Sequence, residues 1–381
     1  MKKICIVVTS PLIVNFFLRD HIQILSKEFE VYLICNHNDD ELLTLKELNL
    51  KKIFNIPIAR DIHILQDFRA LKQIYRCFKE NKFDAIHSVS PKAGLLASIA
   101  GSVEKINNRI HIFTGQVWAS KKGIFRFILK TCDKVIVKLS TIILVDGNSQ
   151  REFLIKEKVL TTSNSIVLGK GSISGVDVNR YKPNSQLRAE LRLKLDIPDS
   201  TVVYLFMGRI KKDKGMLELF EAFKLMSSKK KNVYLLIVGY DEDNLINDIN
   251  QYLGPNHRFC YLGSTRYPET ILPAADVFCM PSYREGFGSS VIEASSCSLP
   301  VICSDIYGLS DAFVDGVTGL KCIVKDVNSL FDKMLKLYED KDFRETLGNN
   351  GNKYVRENFS SEIISNEWLK FYTNLFLYSK N

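Results

Sequence analysis

Residues 201–239, TVVYLFMGRIKKDKGMLELFEAFKLMSSKKKNVYLLIVG, set the architecture. Two β-rich apolar runs, 201–208 and 233–239, flank a stretch with a helical pattern, which is the unit of a parallel sheet with a crossover helix. The alternation continues both ways. Downstream come FCYLG (259–263), DVFCMPS (276–282), PVICS (300–304) and LKCIV (320–324). Upstream, before a polar connection at 181–199, come KICIVVTS (3–10), VYLIC (31–35), KIFNIPI (52–58), DAIHSVS (84–90), RIHIFT (109–114), TIILVDG (141–147) and SIVLGKG (165–171). The expected fold is α/β: two doubly wound Rossmann-like domains facing a cleft, at 1–180 and 181–360. Residues 361–381 are expected to form a C-terminal helix crossing back to the first domain. In such sheets ligands bind beyond the carboxyl ends of the strands, so the chemistry belongs in the loops that follow them.

With 381 residues, 46% hydrophobic and 25% charged, the chain has ordinary globular composition and length for two or three domains, which excludes disordered and fibrous classes. Its nine cysteines are scattered without a C-x-x-C pair, as suits small core residues in a reducing cytoplasm rather than a disulfide frame or zinc site. The six histidines show no ligand spacing, so no metal and no cofactor are expected. The opening MKKICIVVTSPLIVNFF has no small-x-small cleavage site, and Pro11 and Asn15 interrupt its apolar run, so it reads as a buried first strand. The loop after that strand carries no G-x-G-x-x-G and no Walker lysine, which argues against dinucleotide oxidoreductases and P-loop nucleotidases. Charge is uneven: residues 1–185 hold 28 Lys and Arg against 17 Asp and Glu, whereas the remainder hold 24 against 26. Either the first half meets something anionic or the excess is drift in a basic proteome.

The most informative segment is Arg284-Glu285-Gly286-Phe287-Gly288-Ser289-Ser290-Val291-Ile292-Glu293-Ala294, directly after the strand DVFCMPS. A helix starting near Phe287 leaves its first amides unpaired at its positive end, a ready anion seat, and glycines there let a phosphate approach. On that reading Glu293 lies about six helical residues on, roughly 9 Å along the axis. Two carboxylates then bracket the seat, as a nucleotide sugar requires with hydroxyls at either end of a diphosphate. Alone, the segment would read as an ordinary helix start with an exposed glutamate. It is joined by Gly208-Arg209-Ile210-Lys211-Lys212-Asp213-Lys214-Gly215, which sends two cations to the same sheet edge. Arg209 can grip phosphate oxygens through its planar fork and Lys214 can set a point charge beside them.

Glu285 and Glu293, separated by seven residues, together with GRIKKDKG, resemble the signature elements of the retaining GT-B glycosyltransferases of family 4. The likeness extends along essentially the whole chain. DAIHSVSPKAG and FTGQVWASKKG resemble bacterial enzymes that assemble capsule, O-antigen or lipid-linked glycans. The resemblance implies that Arg209 and Lys214 neutralise the departing diphosphate, that Glu285 binds the sugar hydroxyls, and that Glu293 binds the ribose. It implies a donor site completed by Gly208, Gly239, Leu262 and Gly263, with the amides of Gly286, Phe287, Gly288, Ser289 and Ser290. On the acceptor side it points to Asn15, Thr114, Gly115 and Gln116, and to His87 as either catalytic or structural. Where many members carry a glycine pair in the first loop, this chain has Ser10-Pro11-Leu12-Ile13-Val14-Asn15. Asp241-Glu242-Asp243 reads as D-x-D, the metal-binding string of the other large glycosyltransferase fold, but is expected here to open a helix after VYLLIVGY.

Within KKGIFRFILKTCDKVIVK (121–138), Lys122, Arg126, Lys130, Lys134 and Lys138 recur every four residues beside Ile124, Phe127, Ile128 and Val135. Either this is a basic amphipathic helix on an anionic leaflet or a crossover helix with solvated lysines. The expected function is transfer of an N-acetylhexosamine from a UDP-sugar to a polyprenyl-diphosphate-linked saccharide at the inner face of the cytoplasmic membrane. Two other classes stay open: a nucleotide-sugar epimerase or hydrolase, separated by product formation from donor alone, and a two-domain sugar-binding protein without chemistry.

Overall fold

β1 (Lys3–Val7), buried over its last four residues, pairs with β2 (Glu30–Cys35) on one side and β4 (Ala85–Val89) on the other. The structure, a computed structural model, describes residues 1–59, 63–253 and 258–378. It divides into two units, 1–175 with 361–381, and 176–360. In the first, β3 (Lys52–Asn55), β5 (Asn108–Phe113), β6 (Ile142–Val145) and β7 (Ser165–Ile166) complete a parallel sheet in the order β3-β2-β1-β4-β5-β6-β7. In the second, β8 (Val202–Met207), β9 (Val233–Val238), β10 (Phe259–Tyr261), β11 (Val277–Met280), β12 (Val301–Ser304) and β13 (Gly319–Cys322) run in the order β10-β9-β8-β11-β12-β13. Each sheet reverses its winding once, between β1 and β4 and between β8 and β11. Every residue of β8 is buried, as a strand covered by helices on both faces must be.

All thirteen expected strands form, but most stop earlier than their apolar runs. β11 ends at Met280 because Pro281 has no N–H to continue the ladder. β7 is two residues long because Gly169 and Gly171 turn the chain into positive φ. The first loop is helical rather than extended: Pro11–Ile13, a π-turn at Val14–Leu18, then Arg19–Leu25.

Helix Ser361–Tyr378 belongs to the first unit; residues 379–381 of the expected helix lie outside the described residues. Its Trp368 is sandwiched between His21 and His87, with ring centroids 4.4 and 4.8 Å away and both pairs nearly parallel. Ser365 Oγ lies 2.9 Å from His21 Nδ1 and the Tyr372 hydroxyl 2.7 Å from His87 Nδ1. On β5, His111 meets Ser88 Oγ at 2.9 Å. Burial lowers the three imidazoles to about 4, 3 and 3 for His21, His87 and His111. The unfolded chain therefore binds protons below about pH 6.5 that the folded chain refuses, so this contribution is complete above that pH and is lost as pH falls toward 4. The urea midpoint should drop across that window, and less steeply in a His87→Gln variant; equal slopes would contradict the assignment.

Candidate active site

Four loops following adjacent strands β10, β9, β8 and β11 carry the residues singled out in the second unit. Those after β10, β9 and β8 meet through glycines: Gly208 N donates to Val238 O at 3.0 Å, and Gly239 N to Gly263 O at 2.9 Å. Gly239 has φ +143°, and a Cβ there would sit 1.7 Å from Gly208 O, so no other residue lets these segments run so close. Leu262 is half-buried, and the space beside Gly263 is open.

Beyond Gly208 the chain makes a 3₁₀ turn at Lys212–Lys214 before helix Met216–Lys229. A side chain at Gly215 would meet Pro281 O at 2.0 Å, which ties the end of GRIKKDKG to the exit of β11. Tyr283 N donates to Asp213 O at 2.9 Å, and Arg284 lies 3.4 Å from the Asp213 carboxylate. This docking brings Lys214 Nζ to 2.5 Å from Glu285 Oε1, an ion pair in which both side chains are about 15% exposed. So a cation and a carboxylate 71 residues apart in sequence share one spot.

The helix that follows is Ser289–Ser296, two residues later than the start expected at Phe287. The reason is packing: Phe287 is buried, its ring 5.2 Å from that of Phe359, and Gly288 at φ +84° forms the N-cap. Phe287 can offer a ligand only its amide. The cap has no side chain to give, so the amides of Ser289 and Ser290 lack both a capping group and an intrahelical carbonyl. Glu293 is consequently four residues into the helix, about 6 Å along its axis, one turn and not two. Its enclosed surroundings push its carboxyl up to about 7, against the pull of Arg180 and Tyr181 beside it.

Arg209 does not point at Glu285. Its Nη1 donates to Glu242 Oε2 at 2.7 Å, and Lys211 Nζ donates to the other oxygen at 2.7 Å. Asp241 accepts from the amides of Leu245 and Ile246, and Asp243 from Lys212 N. The three carboxylates of this D-x-D string thus diverge. They shape a turn over 245–248, and the next helix begins only at Ile249.

In the first unit, Thr114 and Gly115 lie half-buried beyond β5. Gln116 is 1% exposed and accepts from Gln150 Nε2 at 3.2 Å. Asn15 donates to Thr44 Oγ1 and accepts from Arg19. His87 is wholly buried, its ring stacked on Trp368 and its Nδ1 at the Tyr372 hydroxyl. Helix Gly123–Leu139 corrects the cationic stripe. Arg126 and Lys130 turn onto the protein: both pair with Glu157 at 2.7 and 2.6 Å and lie over the Trp118 ring at 4.9 and 5.3 Å. Lys122, Lys134 and Lys138 remain exposed.

Residues 188–354 match the profile of the glycosyl transferases group 1, and residues 3–139 that of the glycosyl transferase 4-like domain. The chain is 31% identical over 363 residues to the capsular polysaccharide biosynthesis glycosyltransferase CapM of Staphylococcus aureus, covering 94% of each. It belongs to the group 1 glycosyltransferases. A second relative, the Escherichia coli UDP-Gal:α-D-GlcNAc-diphosphoundecaprenol α-1,3-galactosyltransferase, is 25% identical over 336 residues, 87% of this chain and 85% of that protein. Among solved structures, Anabaena HepE in complex with UDP superposes with a TM-score of 0.81 at 17% identity, over 98% of this chain and 100% of that one. The fold of this glycosyltransferase is accordingly GT-B.

Sequence reasoning missed Glu242, Arg180 and Tyr181 as neighbours of the site. Glu242 had a usable signal, since it follows β9 by four residues on the strand next to Arg209. Arg180 and Tyr181 had none, because they sit in the connection before β8.

Proposed function

We propose that this glycosyltransferase moves a sugar, an N-acetylhexosamine, from a UDP donor to a saccharide on a polyprenyl diphosphate, in assembly of a bacterial surface polysaccharide. The observation that carries the reading is the row of four loops holding Lys214 against Glu285 beside the open helix start at Ser289. A diphosphate in that row meets Lys214, Arg209 and the free amides. As the bond from C1 to the diphosphate oxygen breaks, its electron pair leaves with the diphosphate, and fixed positive charge stabilises what develops there. The acceptor hydroxyl bonds C1 on the same face, retaining configuration, and its proton passes to an oxygen of the departing diphosphate. Glu285 accepts hydrogen bonds from the sugar hydroxyls and Glu293 from the ribose. Charge neutralisation is assigned to protein cations and amides, without metal.

The names of the two relatives support a lipid-linked acceptor in a capsule or related pathway. Incubation with UDP-glucose, UDP-galactose, UDP-GlcNAc and UDP-GalNAc and a short-chain polyprenyl-diphosphate GlcNAc, with EDTA present, tests the reading by mass spectrometry. An acceptor one N-acetylhexosamine heavier is expected. Conversion of donor without acceptor would instead favour the epimerase or hydrolase class.

Among the described residues no helix is long and apolar enough to cross a membrane. We assign peripheral attachment to the start of helix Gly123–Leu139, where Ile124, Phe125, Phe127 and Ile128 are 64, 67, 68 and 45% exposed beside Lys121 and Lys122. Apolar insertion, rather than the inward-turned Arg126 and Lys130, then holds the lipid face. Replacing Phe125 and Phe127 together by serine should weaken sedimentation with phosphatidylglycerol vesicles roughly tenfold; unchanged binding would defeat the assignment.

A further inference from the structure

The cations that GRIKKDKG presents at Arg209, Lys211 and Lys214 are each paired with a carboxylate. Lys214 is held by Glu285. Arg209 and Lys211 are both held by Glu242, one on each carboxylate oxygen at 2.7 Å. Backbone pairing fixes that arrangement: beyond the glycine contact the chains stay in register, with Ile210 N donating to Tyr240 O at 2.8 Å and Glu242 N to Ile210 O at 3.0 Å. Its neighbours spend their oxygens on amides, so Glu242 alone of the three acidic residues is committed to cations. The two basic partners hold its carboxyl below the usual range, Lys211 first. It is therefore an anion at neutral pH.

We infer that Glu242 is an internal counter-anion, a positioning residue that keeps Arg209 and Lys211 paired until the donor diphosphate displaces it. This rests on the reading that Arg209 meets the diphosphate. Glu242 gives Arg209 one oxygen, the other being taken by Lys211, whereas a diphosphate offers the guanidinium two oxygens and more charge. Arg209 and Glu242 are 43 and 32% exposed, so the pair is solvated and can exchange partners. Donor binding then includes the cost of parting Arg209 from Glu242. The same carboxylate, on recapturing Arg209 after transfer, helps UDP to leave.

The test is UDP affinity by calorimetry and donor KM on the full chain. Glu242→Gln removes the competing charge, so the UDP dissociation constant and the donor KM should both fall about fivefold, the scale of an exposed ion pair. Turnover should fall or stay level, because product leaves more slowly. Asp243→Asn makes the same charge change one residue away and should shift UDP affinity less than about twofold. In an Arg209→Ala background the effect of Glu242→Gln should shrink to the share carried by Lys211. Equal tightening by Asp243→Asn, or weaker binding in Glu242→Gln, would overturn the inference. If Arg209→Ala alone leaves UDP affinity unchanged, the donor reading itself fails. If Arg209→Ala weakens UDP and Glu242→Gln does not tighten it, only the counter-anion role falls. A Glu242→Ala variant repeats the comparison without a residual amide, and its melting temperature reports whether the loop still folds.

Discussion

Replacement of Glu285 by alanine should lower turnover about a thousandfold while UDP still binds and the protein melts as before. Glu285 stands on the loop between β11 and the helix at Ser289 and makes its ion pair with Lys214 at 2.5 Å. On the proposed reading, removing the carboxylate takes away an acceptor for sugar hydroxyls that strengthens as C1 becomes cationic, and it releases Lys214 from its ion pair. Both losses fall on the transition state. UDP, which lacks the sugar, keeps Lys214 as a partner and should bind as well as before or better. Lys214→Met should behave differently, weakening UDP as well as turnover, because it deletes the cation itself. The two variants are compared by kcat, donor KM and UDP affinity. Full turnover in Glu285→Ala would reject the role, and a matching loss of UDP affinity would make Glu285 a folding residue of the loop.

The second large effect is structural. Trp368→Ala should cost about 3–5 kcal/mol, the usual scale for emptying a buried tryptophan site. Trp368 is 1% exposed, and its removal leaves the stacked faces of His21 and His87 without a partner. The cavity cannot close easily, because both imidazoles are held by other contacts, His21 by Ser365 and Ile173 and His87 by Tyr372. Trp368→Phe should recover part of the loss. Urea unfolding at pH 7.5 measures both; a change below about 1 kcal/mol for the alanine variant would mean that the helix at 361–378 is not anchored there.

The parallel sheets were legible because strands buried on both faces read as unbroken apolar runs, as VVYLFM at β8 does. Their ends were less so, since a proline at 281 or glycines at 169 and 171 stop the ladder while the composition stays apolar. The meeting of Lys214 with Glu285 was legible, since motif and topology agree there, whereas the helix start was read two residues early. Arg209 was placed on the right edge, but its partner was not foreseen: Glu242 lies 33 residues away and reaches it only through the register of β8 with β9. A four-residue spacing keeps cations on one stripe of the helix at Gly123–Leu139, yet says nothing about which way the stripe faces. Trp118, donating to Asp133 at 2.6 Å, turns Arg126 and Lys130 inward. Phe287 reads as the start of the helix in the sequence, but its ring packs against Phe359 and the helix begins at Ser289.

The most direct test is a crystal structure of this glycosyltransferase with UDP. The diphosphate is expected on the amides of Ser289 and Ser290, within hydrogen-bond reach of Lys214, with the ribose on Glu293 and Arg209 released from Glu242. UDP bound away from the loops that follow β8, β9 and β11, with the Lys214–Glu285 and Arg209–Glu242 pairs undisturbed, would contradict it.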